Sequence, residues 1–397
     1  MTESTVQTAP PVTPVFPQPS LQPPARELYI DRLRSLMTVF VILHHTAITY
    51  GAPGGWFWNE LKPSASVTTL LLTFFVATNQ AYFMGFFFLM AGYFTPGSLE
   101  RKGYARFLGD RFLRLGLPLL AFVFFLGPLT VALVEMHEGK GFLATLAWFW
   151  RHEIYWMNGP LWFAQALLMF SVGYCAWRAL AGAPLKRAER STTPIPSSRW
   201  WLASAFAVGA AALAIRQFVP VGVNIIGLQL GYFASYVFLF AIGIAAWRHD
   251  WLRRLEWKHA RLMVIGLVIT WPLMPVAIVV AHALYGPGKA NFGGGHTWPA
   301  ILYAFWEPLV AWGLIAAWLL IFRAYMNRPS PFWTWINRRA YAVYIIHPPV
   351  LVAISLLLHP WIAPAMVKFA VIGAIACSLC WLIADPLVRL PGVRRIV

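Results

Sequence analysis

The feature that most constrains this chain is a succession of apolar runs, many of 18 residues or more, set between short basic stretches. Runs of that length suit segments that cross a bilayer. In hydrocarbon every backbone N–H and C=O must be bonded within the spanning structure, and runs this long satisfy that as helices rather than as barrel strands. The composition agrees: 59% of residues are hydrophobic and only 11% charged, with mean hydropathy +0.62. A soluble domain carries about 25% charged residues. Twenty-one Trp and 29 Phe supply the aromatic mass that favours membrane interfaces. The expected fold class is all-α, a polytopic membrane helix bundle with about ten transmembrane helices.

The runs place those helices at about 33–50, 67–95, 112–134, 160–182, 200–218, 226–247, 262–284, 298–322, 340–358 and 364–388. Between them lie a 135–159 loop with an aromatic, interfacial stretch, a basic Ser/Pro-rich loop at 184–198 and a Gly-rich loop at 286–297. Residues 1–25 hold seven prolines and a single charge, which reads as a disordered Pro-rich tail and not as a secretory signal. Residues 26–390 then form one transmembrane domain, and 391–397 a short basic cytoplasmic tail.

The net charge of +17 does not point to nucleic acid, because the basic residues sit in short blocks between apolar runs. Placing the N-terminus in the cytoplasm puts 25 of the 31 Lys and Arg on that side. Such a bias orients membrane proteins. It predicts a multi-pass protein of the cytoplasmic (inner) membrane with both termini inside. Cys377 and Cys380 form a CxxC, but inside an apolar run and without a second ligand pair, so they read as small helix residues and no metal site is expected. No Walker loop or GxGxxG follows a strand, so no nucleotide-fold cofactor is indicated.

The chemistry is concentrated in RELYIDRLRSLMTVFVILHHTAITYG, residues 26–51. Arg34 and His45 are eleven residues apart. At about 100° per residue they fall within about 20° of one helix face, separated by about 16 Å along the axis. His44 is turned about 80° away. An ionisable group deep in a membrane helix marks a functional site by default. Two more follow: Glu307, about 13 Å into the eighth helix, and His347, about 10 Å into the ninth. Pro348 and Pro349 come directly after His347 and must free backbone carbonyls there. The expectation is that His45, Glu307 and His347 converge in the middle third of the bilayer, a carboxylate beside an imidazole setting its tautomer. For Glu307 and His347 a plainly structural hydrogen-bonding role stands beside the catalytic one. In GYARFLGDRFLRLGLP, Arg111 and Arg114 are i, i+3 neighbours with Arg106 a turn earlier. They read either as topology signals or as a basic mouth for a polyanion, since the guanidinium fork suits phosphate.

Arg34-x10-His45 resembles the signature of the acyltransferase-3 family of integral membrane acyltransferases. FFFLMAGYFTP (86–96) is similar to that family's FF-x-x-SGY segment, DRFLRLGLP (110–118) to its arginine motif, and AYAVYIIHPPV (340–350) to its late Tyr-x-x-His helix. The order and spacing cover nearly all of the chain except the tail and look nearest the glucan biosynthesis protein C-like branch. Two positions depart: Ala91 replaces the usual Ser of SGY, and Asp110-Arg111 stands where a double arginine is common. The resemblance implies an O-acyltransferase domain over 26–390. It would move an acetyl or succinyl group from cytoplasmic acyl-CoA to a hydroxyl of a polysaccharide, glucan or other acceptor. It further implies phosphate contacts from Arg34, Arg111 and Arg114, with His45 as general base or as nucleophile through an acyl-imidazole. Tyr93 and Asn79 are candidate polar partners in the second helix. The co-substrate is acyl-CoA, with no tightly bound cofactor, and the other partners are the acceptor and the lipid bilayer. The loops 135–159 and 293–296 are acceptor surfaces by position. With no acyl-esterase-like stretch after Val388, transfer would be completed in the membrane domain or handed to another protein. The alternative is a proton-coupled secondary transporter or flippase for a glycan-type substrate, although no internal repeat supports it. A third reading is a non-catalytic membrane scaffold.

Overall fold

The computed structural model describes residues 27–152, 157–182, 193–286 and 288–396. The expected tail at 1–25 and most of the 184–198 loop lie outside the described residues. The described residues form an all-α bundle of long helices: α1 (Leu28–Thr49), α2 (Val67–Lys102), α3 (Tyr104–His137), α4 (Phe142–His152), α5 (Gly159–Leu180), α6 (Ser198–Arg216), α7 (Leu230–Arg248), α8 (Trp257–Tyr285), α9 (Trp298–Tyr325), α10 (Pro331–Leu357) and α11 (Ala365–Leu387). Nine of these are long and apolar enough to cross a membrane. Helix α1, of 22 residues, is long enough but stays outside that set. Its polar residues, Arg32, Arg34, His44 and His45 among them, lower its mean hydropathy. The segment richest in candidate chemistry is therefore the least membrane-like of the ten.

Helix boundaries follow local chemistry. Ser66 caps α2 by accepting from the Thr69 N–H at 3.1 Å, and Gly103 ends it at φ 73°, a conformation only glycine takes cheaply. Ser330 and Pro331 start α10 in the same spirit, a hydroxyl cap followed by proline at the first position. Helix α3 is interrupted by two π-helical stretches, Phe112–Gly116 and Phe122–Leu126, each followed within two residues by a proline. Proline has no N–H for the carbonyl four residues back, so it favours such breaks.

Packing centres on α2, which touches α1, α7 and α9. A Cβ on Gly92 would clash with the Phe240 carbonyl, and one on Gly243 with the Leu89 carbonyl. The backbones of α2 and α7 can therefore approach only because both positions are glycine, the small-residue contact typical of membrane helices. Helix α1 is enclosed by α2, α9, α10 and α11. In contrast, α8 turns Val268, Ile269, Val276 and Val279 outward, an apolar surface suited to lipid. The arginines expected at one membrane face cluster at one end of the bundle, around the start of α1, the end of α2 and the start of α3. The opposite end carries the loop between α1 and α2.

Candidate active site

Helix α1 sets its two candidate side chains as its pitch requires. Arg34 is exposed at the arginine-rich end, with an ion pair to Asp31 at 3.6 Å. His45 is half-buried toward the opposite end, and its Nδ1 is buried without a hydrogen-bond partner. Its ring stacks on His347 of α10, with centroids 5.5 Å apart and planes 18° apart. His44, turned off that face, stacks on Phe83 of α2 at 5.1 Å and meets His45 edge-on at 5.3 Å.

The position of His347 follows from the proline after it. Pro348 has no N–H to give the Tyr344 carbonyl, which is left without its helical donor. His347 Nδ1 lies 2.6 Å from that oxygen. A carbonyl only accepts, so Nδ1 carries the proton and Nε2 presents the lone pair in the neutral ring. That Nε2 is buried and has no partner among the described residues. Helix α10 itself thus fixes the tautomer of a base beside His45. The same device recurs twice. Pro118 orphans the Arg114 carbonyl, to which the Tyr341 hydroxyl donates at 2.6 Å. Pro128 orphans the Phe124 carbonyl, to which the Trp150 indole donates at 3.0 Å.

Tyr341, Tyr344 and His347 are spaced by three residues and make a ladder along α10. Tyr341 stacks with Tyr344 at 6.4 Å, and Tyr344 lies 5.9 Å from His347. The Tyr344 hydroxyl is anchored on the Pro160 carbonyl. At its foot Tyr341 lies in the field of Arg34, Arg111 and Arg114 together. Arg111 lies over the Phe107 ring at 5.0 Å and reaches the Thr95 hydroxyl at 3.4 Å, while Arg114 is exposed. Thr95 in turn donates to the Ala91 carbonyl at 2.7 Å. A hydroxyl therefore stands one turn beyond the position where Ala91 lacks one. The ladder thus runs from the Arg114 carbonyl, through Tyr341 and Tyr344, to the His347–His45 pair.

Two predicted residues lie elsewhere. Tyr93 is buried near the arginine-rich end, where its electrostatic neighbours include Tyr29 and Arg253. Glu307 does not converge with the histidines as expected. It is buried in an ion pair with Arg216 of α6, whose Nε also donates to the Gly231 carbonyl at 3.0 Å. The guanidinium lies between Tyr232 at 5.4 Å and Tyr303 at 5.2 Å. A carboxylate buried in a helix bundle goes to the strongest available cation, and Arg216 offers a permanent one where an imidazole does not. Arg216 counts in the sequence only as a charge on the less basic side, so nothing there marked it. Arg178, buried beside Glu100 at 4.0 Å and donating to the Tyr174 hydroxyl at 3.1 Å, was hidden in the same way.

Also unmarked in the sequence is the loop between α1 and α2. Trp56 stacks on His45 with centroids 3.8 Å apart and planes 15° apart, and lies 6.0 Å from His347. The loop is closed at its base, where the Leu61 N–H donates to the Thr49 carbonyl at 3.1 Å. Glu60 ties it to Lys368 of α11 through an ion pair in which both side chains are buried.

A family model described as an acyltransferase domain matches residues 27–385. The chain is 22% identical over 363 residues to the glucans biosynthesis protein C of Salmonella paratyphi B, covering 87% of this chain and 88% of that protein. The proteins of the same name from Salmonella dublin and Salmonella enteritidis PT4 match at 22% over the same length, with the same coverage. No solved structure matches.

Proposed function

The chain belongs to this acyltransferase family, and on that premise we propose that it carries an acyl group, acetyl or succinyl, from cytoplasmic acyl-CoA through the bundle to a hydroxyl of an envelope glycan. The observation that supports this best is the stacked His45–His347 pair at the head of a tyrosine ladder that starts among three arginines. A CoA thioester has its phosphates at one end and its reactive carbonyl on a long arm. Arg34, Arg111 and Arg114 hold the phosphates at the cytoplasmic mouth, and the arm runs along Tyr341 and Tyr344. The thioester then meets His45 about 16 Å inward.

In the base-catalysed form, an imidazole nitrogen of His45 takes the proton of the acceptor hydroxyl as its oxygen attacks the thioester carbonyl. The tetrahedral adduct collapses, the C–S bond breaks, and the CoA thiolate takes the proton back from the imidazolium. In the nucleophilic form, His45 attacks first, releases CoA and passes the acyl group to the hydroxyl from an acyl-imidazole. In both, His347 offers a fixed Nε2 lone pair beside the reacting hydroxyl. The Glu307–Arg216 pair serves by holding α6 to α9, not by touching the reactants. The basic bias of one face supports a reading with both termini in the cytoplasm, the protein in the inner membrane and the glycan on the outer side.

The test is to incubate membranes carrying wild-type protein or His45→Ala with radiolabelled acetyl-CoA and succinyl-CoA, then to fractionate protein, lipid and glycan. The expected result is label in glycan with wild type alone. A well-inserted His45→Ala protein that labels glycan at the wild-type rate overturns the proposal.

A further inference from the structure

The geometry points to residues 51–66 as an acceptor subsite for a pyranose sugar, with Trp56 as the platform on which the ring stacks. The inference rests on the acyltransferase reading above and names the acceptor chemistry of the same site. Three observations carry it. Trp56 lies against the two imidazoles, at the end of the histidine pair opposite the arginines. The indole N–H groups of Trp56 and Trp58 are both buried, and neither has a hydrogen-bond partner. A buried donor without an acceptor costs free energy, so two such donors on one loop favour a ligand that brings oxygen acceptors to them. Glu60, whose side chain is 5% exposed, is a third polar group of the loop; its Oε1 pairs with Lys368 and its Oε2 faces His359 Nδ1 at 3.5 Å.

A ligand that suits all three must have an apolar face for an indole and hydroxyl groups around its rim. A pyranose has both: axial C–H bonds on a ring face, and equatorial hydroxyls that accept from indole N–H and donate to carboxylate. Stacking supplies dispersion over a large flat area. The loop is built to hold such a platform. Its base is closed by the Leu61–Thr49 bond, and its far side is pinned by Glu60–Lys368. Trp58 packs edge-on against His137 at 5.2 Å and His359 at 5.9 Å, from the ends of α3 and α10. Gly54, at φ 155°, lies against Ile48, where a Cβ would come within 2.6 Å of the Ile48 Cδ1. In this state Trp56 covers one face of His45. A sugar that takes over the indole uncovers the imidazole at the moment an acceptor hydroxyl arrives, and until then the indole shields the base from water.

The experiment measures transfer from labelled acyl-CoA to a glucohexaose and to sorbitol, a polyol with hydroxyls but no ring face, by wild type, Trp56→Ala, Trp56→Phe and Trp58→Ala in nanodiscs. Thioester hydrolysis without acceptor is read in parallel. The expected result for Trp56→Ala is at least a tenfold higher KM for the glucohexaose, equal to about 1.4 kcal/mol. Its KM for sorbitol shifts less than twofold, and its acceptor-free hydrolysis rises. Trp56→Phe falls between, and Trp58→Ala raises the glucohexaose KM alone. Trp56→Phe and Trp58→Ala carry the test if Trp56→Ala fails to insert. Wild-type KM for the glucohexaose in these variants, or equal shifts for hexaose and sorbitol, overturns the sugar platform while the acyltransferase reading stands. A wild type that consumes no acyl-CoA with either acceptor overturns both.

Discussion

Two buried polar clusters occupy the end of the bundle opposite the arginines, and they differ in kind. In one, Arg216 and Glu307 join opposite charges, with a carbonyl and two tyrosine faces taking up most of the guanidinium. In the other, His45 and His347 stack two bases with no acid between them, and one nitrogen of each is buried without a partner. The first arrangement pairs charge with charge within the protein, Arg216 Nη1 being left without a hydrogen bond, and removing either half leaves a charge stranded. The second is incomplete until something with a proton to give arrives. Burial alone therefore does not mark an active site in a membrane bundle. What separates the two clusters is charge: Arg216 meets an opposite charge within the protein, and the paired imidazoles meet none among the described residues.

The largest expected effect falls on the incomplete cluster. His45→Ala should lower acyl transfer by about 10²–10⁴-fold, the range for a positioned base, with thermal stability in detergent close to wild type. Transfer rates and melting curves measured on the same preparations check this; a melting point that falls together with activity would place His45 with the structural cluster. The charge-paired cluster should behave oppositely. Glu307→Ala leaves Arg216 buried and unpaired and should cost about 3–5 kcal/mol of stability. The double variant Glu307→Leu/Arg216→Met should recover most of that loss and much of the transfer rate. A double variant that melts like wild type yet transfers nothing would move Glu307 into the chemistry.

Smaller effects sharpen the boundary of the histidine site. Arg111→Ala and Arg114→Ala should each raise the acyl-CoA KM about tenfold, consistent with losing a charge-assisted hydrogen bond worth about 1.5–3 kcal/mol. The loss should shrink when the CoA 3′-phosphate is removed from the donor, and an unchanged ratio for dephospho-CoA thioesters would mean the arginines serve topology alone. The smallest effect belongs to Tyr341→Phe, which loses one hydrogen bond to the Arg114 carbonyl. It should cost about 0.5–1.5 kcal/mol and change donor KM by less than Arg111→Ala does. Parallel kinetics on the two variants would show whether the ladder or the arginines dominate donor binding.

Much of this arrangement was legible in the sequence, and what was missed has a common cause. The Arg34–His45 face could be read because both residues ride one helix, whose pitch is fixed by its own hydrogen bonds. Pro348 announced a freed carbonyl for the same reason, since the missing N–H and the orphaned oxygen are four residues apart on one chain. The identity of the group that takes that carbonyl could have been suspected: His347 is three residues after Tyr344, on the same turn. By contrast, Tyr341 meeting the Arg114 carbonyl joins α10 to α3, and no local pattern states that pairing. Arg216 was concealed because an arginine at a helix end looks the same whether it faces water or a buried carboxylate. Trp56 was concealed by abundance, being one Trp among 21 in a loop without periodicity.

The sequence by itself determined the class of fold, the order of the helices and the placement of Arg34 and His45 on one face, because long apolar runs and a fixed helical rise leave a chain in lipid little choice. The tertiary structure decided the partners: that His45 meets His347, that Glu307 goes to Arg216, and that Trp56 folds over the imidazole. Those choices depend on which helices touch and at what depth, and that is set by close contacts such as Gly92 on Gly243 and by desolvation shared across helices far apart in the chain.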